Sequence, residues 1–220
     1  MDKVQFQTED GVTIVGDWYP AKGDRFALLL HMMPATKESW MGFAAELNSR
    51  GISCLAIDLR GHGKSTKKDA VREPLDYRMF SDEEQQAKAF DVEAALLWLQ
   101  RQGMRGETLA VAGASIGANL AIHALAANNL IPVGIALSPG IDFHGVKTDG
   151  PIERLAENQT ILLVGSEDDP TSFSAVNELH ELNRDRTYRI VLTDAGHGTT
   201  MFERDPELLA QCADWIDKKL

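Results

Sequence analysis

The chain has 220 residues, 44% of them hydrophobic, which is enough to bury one sizeable core. Its formal net charge of −11, with no basic cluster beyond Lys64–Lys68, argues against a nucleic-acid partner. The opening Met1-Asp-Lys-Val-Gln lacks the basic-then-apolar pattern of a secretory leader and no apolar run could span a bilayer, so a cytoplasmic protein without a membrane partner is expected.

Val4–Thr8 and Val12–Tyr19 alternate apolar and polar residues around Glu9-Asp10-Gly11, which predicts a hairpin. Phe26–Leu30 is a continuous apolar run ending at His31 and reads as a strand buried on both faces. Trp40–Leu47 has helical periodicity and stops at Gly51. Ile52–Ile57 predicts the next strand, and Asp58–Asp69 a polar loop. Ser81 and Glu84 have the spacing of a capping box for an amphipathic helix running through Gln100. Beyond it come a strand at Leu109–Ala112, a helix at Ile116–Ala127, and strands at Pro132–Leu137 and Thr160–Val164. A helix at Ser172–Leu182, a strand at Tyr188–Leu192 and a helix from Pro206 complete the chain. The two cysteines, Cys54 and Cys212, fall in apolar stretches and point to buried thiols, not a disulfide framework. This alternation predicts an α/β fold in one domain over residues 1–220. The sheet should be mainly parallel, covered by helices on both faces, with the antiparallel hairpin at one edge.

In such sheets chemistry gathers at the carboxyl ends of the strands. Gly113-Ala114-Ser115-Ile116-Gly117 lies between a strand and a helix and has the G-x-S-x-G spacing of a nucleophile elbow. A serine at so tight a turn is pushed outward, and only glycine fits two residues before and after it. The same serine would also serve as a simple helix N-cap, so its partners must decide. A serine hydroxyl needs a base, and imidazole suits the task. His197, flanked by Gly196 and Gly198 after the last strand, is favoured over His31, His123, His144 and His180. The orienting acid should come from Gly165-Ser166-Glu167-Asp168-Asp169-Pro170; Asp168 is the first choice, Asp169 the second and Asp142 the third.

With these residues assembled, the chain resembles the α/β-hydrolase family along nearly its whole length. Asp58-Leu59-Arg60-Gly61-His62-Gly63-Lys64-Ser65 is similar to that family's loop after the fourth strand. Gly165-x-x-Asp168 is similar to its acid motif, and Gly196-His197-Gly198 to its histidine motif. The order Ser115, Asp168, His197 is also the family's. The resemblance implies a serine hydrolase, a carboxylesterase cleaving small ester substrates through an acyl-enzyme on Ser115. Main-chain N–H groups of Met33 and Ile116 would form the oxyanion hole. Met32 stands where the family often has glycine. No cofactor and no metal are implied. Thioesterase, amidase or peptidase chemistry on the same residues stays open, as do a non-catalytic binding protein of this fold and a homo-oligomer. Only Ser138–Gln159 separates the strand ending at Leu137 from the next, too little for a large cap. An open site preferring short-chain neutral esters is therefore expected, with Met32, Trp40, Phe143 and Met201 as candidate apolar lining.

Overall fold

The computed structural model describes all 220 residues. β1 (Asp2–Gln7) and β2 (Val12–Tyr19) form the expected antiparallel hairpin. The chain continues through β3 (Arg25–Leu30), α1 (Met41–Ser49) and β4 (Ile52–Ile57). A two-residue strand β5 (Lys67–Lys68) follows, then α2 (Asp82–Gln86) and α3 (Ala89–Arg101). β6 (Leu109–Ala114), α4 (Ile116–Ala127) and β7 (Val133–Leu137) come next. Between β7 and β10 (Thr160–Ser166) lie only a small hairpin, β8 (Asp142–Phe143) and β9 (Val146–Lys147), and α5 (Asp149–Glu153). α6 (Pro170–Leu182), β11 (Thr187–Leu192), α7 (Met201–Arg204) and α8 (Pro206–Lys219) complete the chain.

One departure from the sequence pattern matters later. The helix expected over Ser81–Gln100 is two helices, broken at Ala87–Lys88. Its start is as read: the Ser81 hydroxyl accepts from the Glu84 N–H, and the Glu84 carboxylate accepts from the Ser81 N–H. At the break the N–H groups of Lys88, Phe90 and Asp91 each reach back only three residues, tightening the turn. Apolar periodicity does not register such a break, because the buried stripe continues across it.

The main sheet runs in the order β1-β2-β4-β3-β6-β7-β10-β11, with β5 pairing to β2. From β4 to β11 each strand pairs in parallel with the next in that order, whereas β2 pairs antiparallel with β1, β4 and β5. Alternate residues of each central strand enter two separate cores. Phe26, Leu28 and Leu30 of β3, with Leu109 and Val111 of β6, face α3, α4 and α6. Ala27 and Leu29, with Ala110, Ala112 and Ala114, face α1 and α8. Large side chains on one face and alanines on the other let the helices approach at different depths.

From β3 the chain steps outward to β4 in one direction, while β6 lies on its other side. The loops leaving β3 and β6 therefore part to opposite faces and open a crevice between them. Leu30 is paired with Gly113 at that point, so the His31 loop and the Ser115 turn leave the sheet side by side.

This arrangement leaves no room at the turn. A Cβ on Gly113 would lie 1.9 Å from the Gly117 carbonyl oxygen, whereas one on Gly103 would meet nothing within 4 Å and suffers only its φ of +96°. Gly113→Ala should therefore cost more than about 4 kcal/mol or abolish folding, against about 1 kcal/mol for Gly103→Ala. Urea unfolding of the two variants checks the difference.

Candidate active site

β6 ends at Ala114 and α4 begins at Ile116, so Ser115 alone makes the turn. It adopts φ +53° and ψ −120°, a strained conformation for a residue with a side chain. The surrounding hydrogen bonds hold it there: its N–H donates to the Leu137 carbonyl at 2.8 Å, and its carbonyl accepts from Ala118 at 2.8 Å and Asn119 at 3.1 Å. A Cβ on Gly117 would fall 2.3 Å from the Leu30 carbonyl oxygen and 2.7 Å from that of His31. Both elbow glycines are thus sterically required, and the turn is pressed against the end of β3. Ser115 occupies the N-cap position, but its side chain caps nothing. Ser115 is partly buried, and its hydroxyl makes no hydrogen bond within the protein.

The loop after β3 is fixed by His31. This ring is fully buried; its Nε2 accepts from the Leu59 N–H at 2.9 Å, and its Nδ1 lies 2.8 Å from the Met32 carbonyl. An acceptor at Nε2 requires the proton at Nδ1, so the ring is neutral and donates to Met32. Burial pushes its pKa down to about 4, so the neutral form persists through neutral pH. The Met32 carbonyl and the Met33 N–H belong to one peptide unit, and holding the first orients the second. The Met33 N–H donates to no group of the protein. Ile116, as the first residue of α4, likewise has no carbonyl one turn back to accept its N–H. The Met32 sulfur rests against Gly198, at 4.0 Å from the Thr199 hydroxyl.

His197 stands on the loop after β11. Its Nδ1 is 2.6 Å from Oδ2 of Asp169, not of Asp168. The expected order of the two carboxylates is therefore reversed. The chain turns at Ser166–Asp169, where the Asp169 N–H donates to the Ser166 carbonyl at 3.0 Å, and this turn sends the two carboxylates to different partners. Asp169 sits at the N-cap of α6, but Pro170 follows it and its side chain makes no cap bond, leaving the carboxylate to His197. Asp168 instead accepts from the Ser166 hydroxyl and from the Gly196 N–H at 3.1 Å, with Arg204 at 3.3 Å. These donors, the Ser166 hydroxyl first, hold its carboxyl below the usual carboxylate range. Asp168 thereby fastens the loop that carries the ring. Asp142, the third choice, lies on β8, where it accepts from the Gly145 N–H at 2.6 Å.

Two serines that no motif marks complete the fastening. The Ser166 hydroxyl accepts from the Ala195 N–H at 2.9 Å, and the Ser138 hydroxyl accepts from the Gly198 N–H at 2.9 Å. Ser138 follows β7 directly and is itself left-handed at φ +49°. Since Ser115 is bonded to Leu137, the histidine loop and the elbow are tied through adjacent residues. Both serines could be anticipated only from their place one residue past, or at the end of, a strand.

The expected apolar lining is mostly not at the site. Trp40 is fully buried against Phe43 and Phe202, and Met201 is fully buried in the same core. Both belong to short helical turns whose phase aims them under the sheet. Phe143 is half-buried with its ring over Gly140, and Met32 is half-buried beside Gly198.

The family model for the alpha/beta hydrolase family matches residues 27–158. None of the curated proteins searched matches the chain. Among solved structures, an esterase of Pyrococcus furiosus superposes with a TM-score of 0.78 at 22% identity, covering 99% of this chain and 89% of that one. The alpha/beta hydrolase GrgF of a Penicillium species gives 0.75 at 16% identity, with 99% and 98% covered. An alpha-beta serine hydrolase homologue of Coxiella burnetii gives 0.72 at 16% identity, with 100% and 97% covered. No helix is long and apolar enough to cross a membrane. With its parallel sheet, its glycine-walled strand–helix turn and a family match over more than half its length, the chain belongs to the alpha/beta hydrolase family.

Proposed function

We propose that the protein is a serine hydrolase, a carboxylesterase acting by acyl transfer on short-chain neutral esters. The observation that carries this reading is the convergence at one sheet edge of an outward serine, an Asp169–His197 pair and two unengaged N–H groups. Ser115 Oγ attacks the ester carbonyl while His197 Nε2 takes its proton. Asp169 accepts from Nδ1–H, fixes the tautomer and stabilises the imidazolium. The N–H groups of Met33 and Ile116, with the positive end of the α4 dipole, meet the negative charge that forms on the carbonyl oxygen. Collapse expels the alcohol, which takes the proton from His197. Water, deprotonated by the same ring, then attacks the acyl-enzyme; the acid leaves and Ser115 is restored. The esterase and serine hydrolase names of two structural neighbours support this reading.

Substrate size follows from what covers the site. Between β7 and β10 the chain supplies a four-residue pairing and a five-residue helix, not a roof. With Trp40 and Met201 withdrawn into the core, the acyl side retains little apolar wall. A buried methylene is worth about 0.8 kcal/mol, and an open site buries few of them.

Ser115→Ala should abolish turnover and labelling by a fluorophosphonate while leaving far-ultraviolet circular dichroism unchanged. Near-wild-type turnover in the pure variant would overturn the mechanism. Asp169→Asn should lower kcat by about 10²- to 10⁴-fold, because the imidazole tautomer is no longer set. Asp168→Asn keeps an acceptor for Gly196 and should cost less than about tenfold. Steady-state kinetics on both variants checks the ranking. Finally, kcat/KM for p-nitrophenyl acetate or butyrate should exceed that for the decanoate, measured below micelle-forming concentrations. A steep rise with chain length would reveal an acyl pocket.

A further inference from the structure

Lys88, at the break between α2 and α3, is fully buried yet makes no salt bridge. Its Nζ donates to the Gln85 side-chain oxygen and touches the Met33 sulfur at 3.5 Å. The Phe80 ring centroid lies 6.0 Å away. Gln85 is held for this purpose, its amide nitrogen donating to the Tyr77 carbonyl at 3.2 Å. The buried carboxylate one turn along, Asp91, is committed elsewhere: it accepts from Arg60 Nε and from the Arg60 N–H, both at 2.8 Å. Arg60 is further engaged by Asp10, again at 2.8 Å. The imidazoles that feel the Lys88 charge, His31 and His62, are held neutral by burial, with pKa values down to about 4 and about 3. The space behind Met33 thus contains one buried ammonium with no carboxylate in contact, on which the Arg60-bonded Asp91 acts only at a distance.

An unpaired buried charge is costly, and a fold that retains one gains elsewhere. The negative charge that this catalytic cycle creates forms at the N–H of Met33, the residue whose side chain Lys88 touches. We propose that Lys88 is a buried countercharge to the tetrahedral oxyanion, acting through the Met33 loop without touching substrate. This rests on the acyl-transfer reading above. In the resting protein the ammonium has no carboxylate in contact; as the oxyanion forms at the Met33 N–H, the ammonium lies behind it across the Met33 side chain in low-dielectric protein, and the transition state gains more than the ground state. Lys88 is therefore a positioning residue for charge, and its effect belongs in kcat more than in KM.

Burial lowers the Lys88 pKa to about 8. Its charge is present below that pH and lost above it, so the contribution to kcat should fade on the alkaline side. For stability the sign is opposite. The folded value lies below the ordinary lysine value of 10.5, so the unfolded chain binds the proton more tightly. Stability is withheld below about pH 8 and regained between there and about 10.5.

The test replaces Lys88 by methionine, which keeps the stem and removes the charge. Fluorophosphonate labelling of wild type and Lys88→Met comes first; failure of the wild type to label would refute the acyl-transfer reading, not the countercharge. Given labelling, kcat of Lys88→Met should fall about 10- to 100-fold, less than loss of a direct oxyanion donor, with KM little changed. Affinity for a short-chain trifluoromethyl ketone, which forms a tetrahedral oxyanion on the serine, should fall by a similar factor. The alkaline loss of kcat should disappear, and Tm at pH 7 should stay level or rise. A kcat within twofold of wild type, a persisting alkaline limb, or a lower kcat with unchanged ketone affinity would each overturn the proposal. Should Lys88→Met fail to fold, NMR titration of the wild-type Lys88 ammonium decides: its pKa must rise in the ketone adduct, and no rise overturns the proposal.

Discussion

The structure depends on a contact that contains no side chain. Where β3, β6 and α4 meet, Gly117 lies directly under the carbonyls of Leu30 and His31, and Gly113 under the carbonyl of Gly117. Backbone approaches backbone there more closely than any Cβ permits. That closeness forces the chain to turn within one residue, which sets the positive φ of Ser115 and lifts its hydroxyl clear of the helix. It also brings the loop of Met33 beside the first turn of α4. The strain at Ser115 is balanced by its bonds to Leu137, Ala118 and Asn119, so the turn is over-determined by its neighbours.

Around this point the site is held by main-chain bonds that end on a few buried polar side chains. His31 joins the Met32 carbonyl to the Leu59 N–H; Ser138, Ser166 and Asp168 hold the N–H groups of Gly198, Ala195 and Gly196. None of these side chains has a role in contact with substrate in the proposed acyl-transfer cycle. Their work is preorganisation, which removes the need to reorder dipoles when charge develops.

The sequence discloses the parts of this arrangement that steric necessity writes locally. Two glycines around Ser115 are visible because no Cβ fits against the backbone there, and two around His197 because the loop is left-handed at both, with φ +78° and +60°. The fold class is legible because each strand and helix carries its own apolar period. What stays hidden depends on direction. Asp168 and Asp169 are neighbours of one type, and only the course of the chain into α6 turns the second one to His197. Trp40 and Met201 stand near the site in sequence, yet the phase of their short helical turns sends them into the core. Lys88 gives no local sign at all: its burial follows from a helix break that the apolar pattern passes over.

The sheet order has one more consequence. Ser115 hangs from β6, which is hydrogen-bonded on both sides by β3 and β7, whereas His197 hangs from β11, the outermost strand, paired only to β10. A strand held on one side opens at far smaller cost than one enclosed on both. The two halves of the proposed proton-transfer pair therefore belong to regions of unequal permanence. Moving the serine out of place means dissolving the centre of the sheet, while moving the histidine requires only that one edge breathe. The cross-ties from Ser138, Ser166 and Asp168 are what couple that loose margin to the rigid interior.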